Sequence, residues 1–195
     1  MPIIDPQKID ALLARAVEQV YPSKEALREV LLSGRRLRLY TGIDPTSADI
    51  HFGHTVWMWK LREFQDLGHE VIMLIGSFTA MIGDPSGKSA TRRPLSREEV
   101  LANAESYKKA ASKIIRFKGE HAARLEWNHK WLDKITLRDF LPLMAEFTVQ
   151  QMLERDMFEK RMNEHKPVGL HEFVYPLLQG YDSVVMDVDL EVCGN

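Results

Sequence analysis

Apolar residues at helical spacing open the chain. Ile9, Leu12, Leu13, Ala16, Val17 and Val20 recur every three or four positions and predict an amphipathic helix over residues 5–20. Ser23 is placed to cap a second helix, with Ala26, Leu27, Val30 and Leu31 on its apolar side and Gly34 as its stop. The period then changes. Residues 38–43, Arg-Leu-Tyr-Thr-Gly-Ile, read as a short strand that runs into the breaker Asp44-Pro45-Thr46. A helix follows over about 53–67 and is closed by Gly68. Residues 71–75 are nearly all apolar, as expected of a strand covered by helices on both sheet faces. Strand, helix, strand in that order is a βαβ unit, whose parallel crossover is right-handed.

Further along, Ser96 followed by Glu98 and Glu99 marks a helix start, and that helix is expected over about 97–115. A short strand is expected at 124–127. Residues 139–164 are expected to be helical, with Phe140, Leu143, Met144, Phe147, Met152, Leu153, Met157 and Phe158 apolar, and a last helix over about 171–181. The organisation read from this is an N-terminal helical segment (1–36) followed by an α/β domain with a parallel sheet (37–195) and a helical insertion at about 120–165.

Composition narrows the class without naming a chemistry. The 195 residues suffice for one domain of ordinary size, and 45% hydrophobic with 28% charged residues excludes disorder and fibrous repeats. A single cysteine, Cys193, excludes a disulfide framework and a cysteine-only zinc site. The net charge of -2 leaves room only for local basic patches, such as Lys113 to Arg138, with seven Lys or Arg against three Asp or Glu. The start has no basic segment leading into an apolar one, and Gly, Ser and Thr interrupt the longest apolar stretch. The expectation is a cytoplasmic chain without a membrane segment.

Three clusters carry candidate chemistry. Tyr40-Thr41-Gly42-Ile43-Asp44-Pro45-Thr46 leads to His51-Phe52-Gly53-His54, two histidines at the start of a helix that follows a parallel strand. Ligands bind at the carboxyl ends of such strands, and a helix N-terminus offers unpaired N–H groups to an anion. The alternatives are surface histidines beside a turn, or a metal site still needing a third ligand. The second cluster runs from Gly76 through Thr79 to Gly83-Asp84-Pro85-Ser86-Gly87-Lys88. Its spacing does not match GxxxxGK[ST], so it is read as a Gly-rich turn bringing Asp84 to a cleft, with an ordinary β-turn as the alternative. In the third, Tyr175, Gln179 and Asp182 stand at i, i+4 and i+7, one stripe of one helix, which faces either a pocket or solvent.

Together these segments resemble the catalytic domain of the bacterial-type tyrosyl-tRNA synthetases, a class I aminoacyl-tRNA synthetase family. The HxGH signature stands as His51 to His54, the Gly-Asp-Pro-Ser-Gly-Lys loop as Gly83 to Lys88, and the Tyr-x-x-x-Gln-x-x-Asp helix as Tyr175, Gln179 and Asp182; Asn128 to Trp131 resembles an Asn-x-x-Trp segment. The resemblance implies a Rossmann-like nucleotide-binding fold and ATP-dependent activation of L-tyrosine, followed by transfer to the 3′ end of tRNA(Tyr). It implies that Thr46, His51 and His54 contact the ATP phosphates as the catalytic groups, with Mg²⁺ accompanying ATP and no dedicated metal site on the protein. Gly42, Asp44, Gly53 and Gly194 would line the adenylate site. Asp84, Tyr175 and Gln179 would hold the substrate ammonium, Tyr40 and Asp182 the phenol, and Thr79 would border the pocket. It also implies a homodimer.

The chain departs from the family pattern near its end. Cys193 stands where the family has glycine, and Asn195 precedes the expected Asp-Gln, the KMSKS loop and the anticodon-binding domain. The sheet is therefore expected to be incomplete at its C-terminal end and the activity of this piece weak or nil. Two other readings remain: a non-catalytic paralogue that binds RNA or protein, and a tryptophan–tRNA ligase.

Overall fold

A computed structural model describes residues 2–46, 51–85 and 95–194. Four parallel strands form its sheet: β1 (Arg38–Ile43), β2 (Glu70–Ile75), β3 (Arg124–Trp127) and β4 (Leu190–Glu191), in spatial order β3-β2-β1-β4. Leu39 pairs with Val71 on one side of β1 and with Leu190 on the other. The α/β, Rossmann-like expectation is borne out, and β4 is an addition to the strands read from the pattern.

Alternation along β1 and β2 explains why both read as apolar. Leu39, Ile43, Val71, Met73 and Ile75 enter one core, while Tyr40, Ile72 and Leu74 enter a second on the opposite face. The first core is roofed by α1 (Pro6–Ala14), α2 (Lys24–Leu32), α3 (Phe52–Asp66) and α5 (Arg97–Ala111), through residues such as Ile9, Leu31, Leu61 and Ala104. A short α4 (Thr79–Ile82) follows β2. Beyond β3 come α6 (His129–Leu132), α7 (Leu137–Ala145), α8 (Val149–Leu153), α9 (Asp156–Asn163), a 3₁₀ turn (Leu170–Phe173) and α10 (Val174–Met186). Trp131 of α6 and Met186 of α10 belong to the second core. The chain thus leaves β3 on one edge and returns as β4 on the other by way of the opposite face. That reversal leaves a crevice between β1 and β4 at their carboxyl ends.

Several boundaries differ from the periodicity. The first helix ends at Ala14 and not near residue 20, because Ala16 takes a left-handed conformation (φ 50°) and Lys60 Nζ claims the carbonyls of Leu12 (2.6 Å) and Arg15 (2.7 Å). The helix from Arg97 stops at Ala111 rather than 115. The stretch read as helical over 139–164 is three helices. Thr136 and Thr148 each start a new one with a capping box, closed by Asp139 and Gln151, and Arg155 is extended. The last helix begins after a 3₁₀ turn, with Pro176 in its first turn, and runs on to Met186, where Asp187 turns left-handed (φ 50°).

Candidate functional site

The crevice holds an open cleft with an empty volume of about 340 Å³, mouth included. Tyr40, Gly42, Ile43 and Asp44 come from β1 and the turn after it, and Leu74, Gly76 and Thr79 from β2 and its sequel. Asn128 follows β3; Tyr175, Gln179 and Asp182 come from α10, and Glu191 from β4. Three of these are carboxylates, and none of the lining residues is Lys, Arg or His. The cleft is therefore shaped for a cationic group.

Asp44 sits at its centre. Its Oδ1 accepts from the Thr79 hydroxyl (2.7 Å) and its Oδ2 from the Tyr175 phenol (2.9 Å). Gly76 makes room for it: a Cβ there would lie 1.9 Å from Asp44 Oδ1 and 2.5 Å from Thr79 Oγ1. Burial pushes the Asp44 carboxyl up to about 7, helped by the charges of Asp84 and Asp182 and opposed by its two hydrogen bonds. The Tyr175 phenol is pushed up as well, first by burial and then by the Asp44 charge.

Asp182 forms the second anionic centre. The Asn128 amide donates to its Oδ2 (3.1 Å) and the Trp131 indole to its Oδ1 (2.7 Å). Burial nonetheless raises its carboxyl to about 6, against those bonds, with Glu191 adding to the rise. Asn128 is fully buried and also bonds the Phe78 N–H (2.8 Å) and the Thr79 hydroxyl (3.1 Å). One amide thus ties α4, α10 and the end of β3 together. The Tyr40 phenol lies 2.7 Å from Ser183 Oγ, and burial raises its pKa. On β4, Glu191 Oε1 accepts from Gln179 Nε2 (2.8 Å).

The histidine pair stands apart, at the start of α3. His51 Nδ1 accepts from the Gly53 N–H (3.1 Å), and His54 Nδ1 from the His51 N–H (3.2 Å), so the two rings cap the helix for each other. Each ring then carries its hydrogen on Nε2. Gly53 leaves room for this arrangement: a Cβ there would lie 2.9 Å from the His51 ring, which would have to shift. Burial, with His51 next to it, holds the His54 imidazole below its usual pKa.

Of the residues expected from the sequence, Tyr40, Gly42, Asp44, Thr79, Tyr175, Gln179 and Asp182 line the cleft together. Asp84 is outside the lining, close enough for its charge to act on Asp44 and Tyr175. Thr46 follows the turn, its N–H bonded to the Asp44 carbonyl (2.8 Å). Gly194 lies by the Trp57 side chain. Ser86, Gly87, Lys88 and Asn195 are outside the described residues. The residue pattern gives no site role to Gly76, Ser183 or Glu191, and Asn128 and Trp131 enter only through the resemblance. Position just past a strand's carboxyl end is the signal that marks Gly76 and Asn128. In the basic stretch, Arg116, Arg124 and Lys130 pair with Asp66, Glu70 and Glu126. Among the described residues no group of three His, Cys, Asp or Glu is placed to hold a metal.

Residues 32–195 match the family described as tRNA synthetases class I (W and Y). The chain belongs to this class I synthetase family. Among the relatives of this class I chain is a tyrosine–tRNA ligase of Haemophilus ducreyi, 51% identical over 191 residues, which are 96% of this chain and 47% of the relative. The tyrosine–tRNA ligase of Oleidesulfovibrio alaskensis is 49% identical over 188 residues, 96% of this chain and 46% of that one. The chain spans about half the length of the curated relatives it matches. Among solved structures, a C-terminally truncated Aspergillus nidulans mitochondrial tyrosyl-tRNA synthetase superposes with a TM-score of 0.81 at 26% identity, over 93% of this chain and 53% of that chain. No helix among the described residues of this class I synthetase chain is long and apolar enough to cross a membrane.

Proposed function

We propose that this chain supplies the amino-acid and ATP sites of a tyrosine–tRNA ligase. The observation that carries the reading is the cleft itself. Three carboxylates and no cation line it, and Tyr40 and Asp182 stand among the lining as groups able to bond a phenol. Tyrosine carries a phenol at one end and, at the other, an ammonium beside the carboxylate that reacts. The names of the half-identical relatives support the same choice over tryptophan.

In this reading the tyrosine phenol bonds Tyr40 and Asp182, and its ammonium lies among Asp84, Tyr175 and Gln179, within the field of Asp44. The ammonium also favours the ionised form of Asp44. ATP is the second substrate and brings Mg²⁺ with it. Its phosphates meet Thr46 and the start of α3, where the Nε2–H groups of His51 and His54 are donors. Gly42, Gly53 and Gly194 leave space for the nucleotide. The tyrosine carboxylate attacks the α-phosphorus, the bond to pyrophosphate breaks, and tyrosyl-adenylate remains. No enzyme nucleophile is involved, so catalysis is positioning plus donors that tighten as charge grows on the phosphoryl oxygens. Transfer of the tyrosyl group to tRNA(Tyr) completes the cycle. The same reading places the protein in the cytoplasm, as a homodimer.

The test is ligand discrimination. A site built to bond a hydroxyl rejects the analogue lacking it by orders of magnitude, and tyrosine–tRNA ligases are the standard illustration. Calorimetric titration of the chain is expected to favour tyrosine over phenylalanine and tryptophan, and Asp182→Ala to abolish that preference together with most binding. Preference for tryptophan, or an Asp182→Ala variant with unchanged tyrosine/phenylalanine discrimination, overturns the reading.

A further inference from the structure

The Gln179 amide is held in one of its two orientations. Its Nε2 donates to Glu191 Oε1 at 2.8 Å. An ionised carboxylate only accepts hydrogen bonds, so the atom facing it must be the amide nitrogen. The carbonyl oxygen is then turned away from Glu191. Among the described residues no protein donor reaches Gln179 Oε1, although both side chains line the cleft. Glu191 is itself held firmly. It pairs in register with Tyr40 across β1 and β4, and the next residue, Val192, donates its N–H to the Tyr40 carbonyl (2.8 Å).

One turn earlier on the same helix, Tyr175 repeats the device. The Tyr175 hydroxyl gives its hydrogen to Asp44 Oδ2, which leaves its oxygen lone pairs toward the cleft. A phenol and an amide can each donate or accept. Here a carboxylate behind each one takes the donor and leaves an acceptor in front.

We propose that Glu191 is a positioning residue: by binding Gln179 Nε2 it presents Gln179 Oε1 to the cleft as an acceptor for the cationic amino group of the substrate. This rests on the ammonium reading above and adds to it the residue that sets the sense of the amide. Glu191 acts through Gln179, so hydrogen-bond geometry sets its effect on the preference more than its share of the cleft's negative charge does. With the amide reversed, an N–H would face the ammonium, and donor would meet donor.

Two conservative variants separate geometry from charge. Glu191→Gln removes the charge but keeps an oxygen at the same reach, whereas Glu191→Asp keeps the charge but withdraws the carboxylate by one methylene. The first readout needs no ligand. The Gln179 side-chain amide protons, assigned by their loss in Gln179→Met, are expected to exchange slowly in the wild-type chain and in Glu191→Gln, and fast in Glu191→Asp. The second readout is affinity for tyrosine against 3-(4-hydroxyphenyl)propanoate, the same molecule without the amino group. Glu191→Asp is expected to reduce the preference for tyrosine by about 10- to 100-fold, the worth of one hydrogen bond to a charged group. Glu191→Gln is expected to keep most of the preference, and the deamino ligand to bind all three proteins alike.

If Glu191→Gln loses the preference and Glu191→Asp keeps it, charge is the operative property and the proposal is overturned. It is overturned equally if both variants keep the preference or both lose it. A wild-type chain with no preference for the amino-bearing ligand overturns the tyrosine reading and this proposal with it. A wild-type preference that Glu191→Asp leaves untouched overturns this proposal alone.

Discussion

Asp44 shows how a residue's surroundings set its chemistry. It is one carboxylate in a turn, yet the close approach of Gly76 and the bonds from Thr79 and Tyr175 place it in the middle of the cleft. Its carboxyl titrates at about 7 in the folded protein, against about 4 in an unfolded chain. Between those values the folded state holds a proton that the unfolded state has lost. The stability this group contributes is therefore fully present below about pH 4 and is lost as pH rises through about 7. Asp182, raised to about 6, acts in the same direction. Asp44→Asn carries no charge at any pH and escapes the loss. Thermal melts are expected to show the variant a few degrees more stable than wild type at pH 8, with the gap closing toward pH 4. A gap that does not depend on pH would show that Asp44 is not the group responsible. For the proposed function the order reverses, because an ammonium bound there favours the ionised form that burial resists.

At the scale of elements, the caps and stripes that start most helices are local and readable. Ser23, Ser96 and Thr136 bond the N–H groups of Ala26, Glu99 and Asp139, within three residues of themselves. The end of α1 is different. Its last carbonyls are held by Lys60, more than forty residues away, which also donates to Glu63 (2.8 Å), itself paired with Arg15. Lys60 is 8% exposed, a cation buried against two carbonyls and a carboxylate. Lys60→Met leaves those acceptors without their donor and is expected to destabilise by about 2–4 kcal/mol. Amide exchange should speed up selectively at Ile9, Leu12 and Leu13 of α1 and stay unchanged in α10. Uniform acceleration across the chain would mean that Lys60 supports the core at large and not this one contact.

At the scale of the whole molecule, α7 presents a face that the described residues leave uncovered. Leu137, Leu141 and Met144, at i, i+4 and i+7, are 71%, 54% and 41% exposed, and Phe147 beyond them is 45% exposed. A contiguous apolar stripe of this kind marks an interaction surface, and a second copy of the chain is the occupant proposed here. Light scattering at micromolar concentration is expected to give twice the chain mass, and Leu141→Asp to halve it without loss of helicity. A wild-type monomer under those conditions would reject the dimer for this chain.

Those parts of the fold whose causes are local can be read along the chain. Period-two and period-3.6 apolar spacing, capping residues and breakers predicted β1, β2, β3, α2 and α3 nearly to the residue. The spacing of Tyr175, Gln179 and Asp182 is enough to put three cleft residues on one stripe of α10. The rest of the fold depends on residues far apart in the chain, and long-range packing sets it. That packing moved the end of α1 from near residue 20 to Ala14, because Lys60 took the carbonyls there. It added β4, whose two residues have no periodicity and form a strand only by pairing with Leu39 and Tyr40. It made Asn128 the tie between three elements, and it set Glu191 behind Gln179, across twelve residues and two elements. A hydrogen bond's direction depends on where its partner stands, and along this chain the partners meet only once the sheet has turned from β3 back to β4.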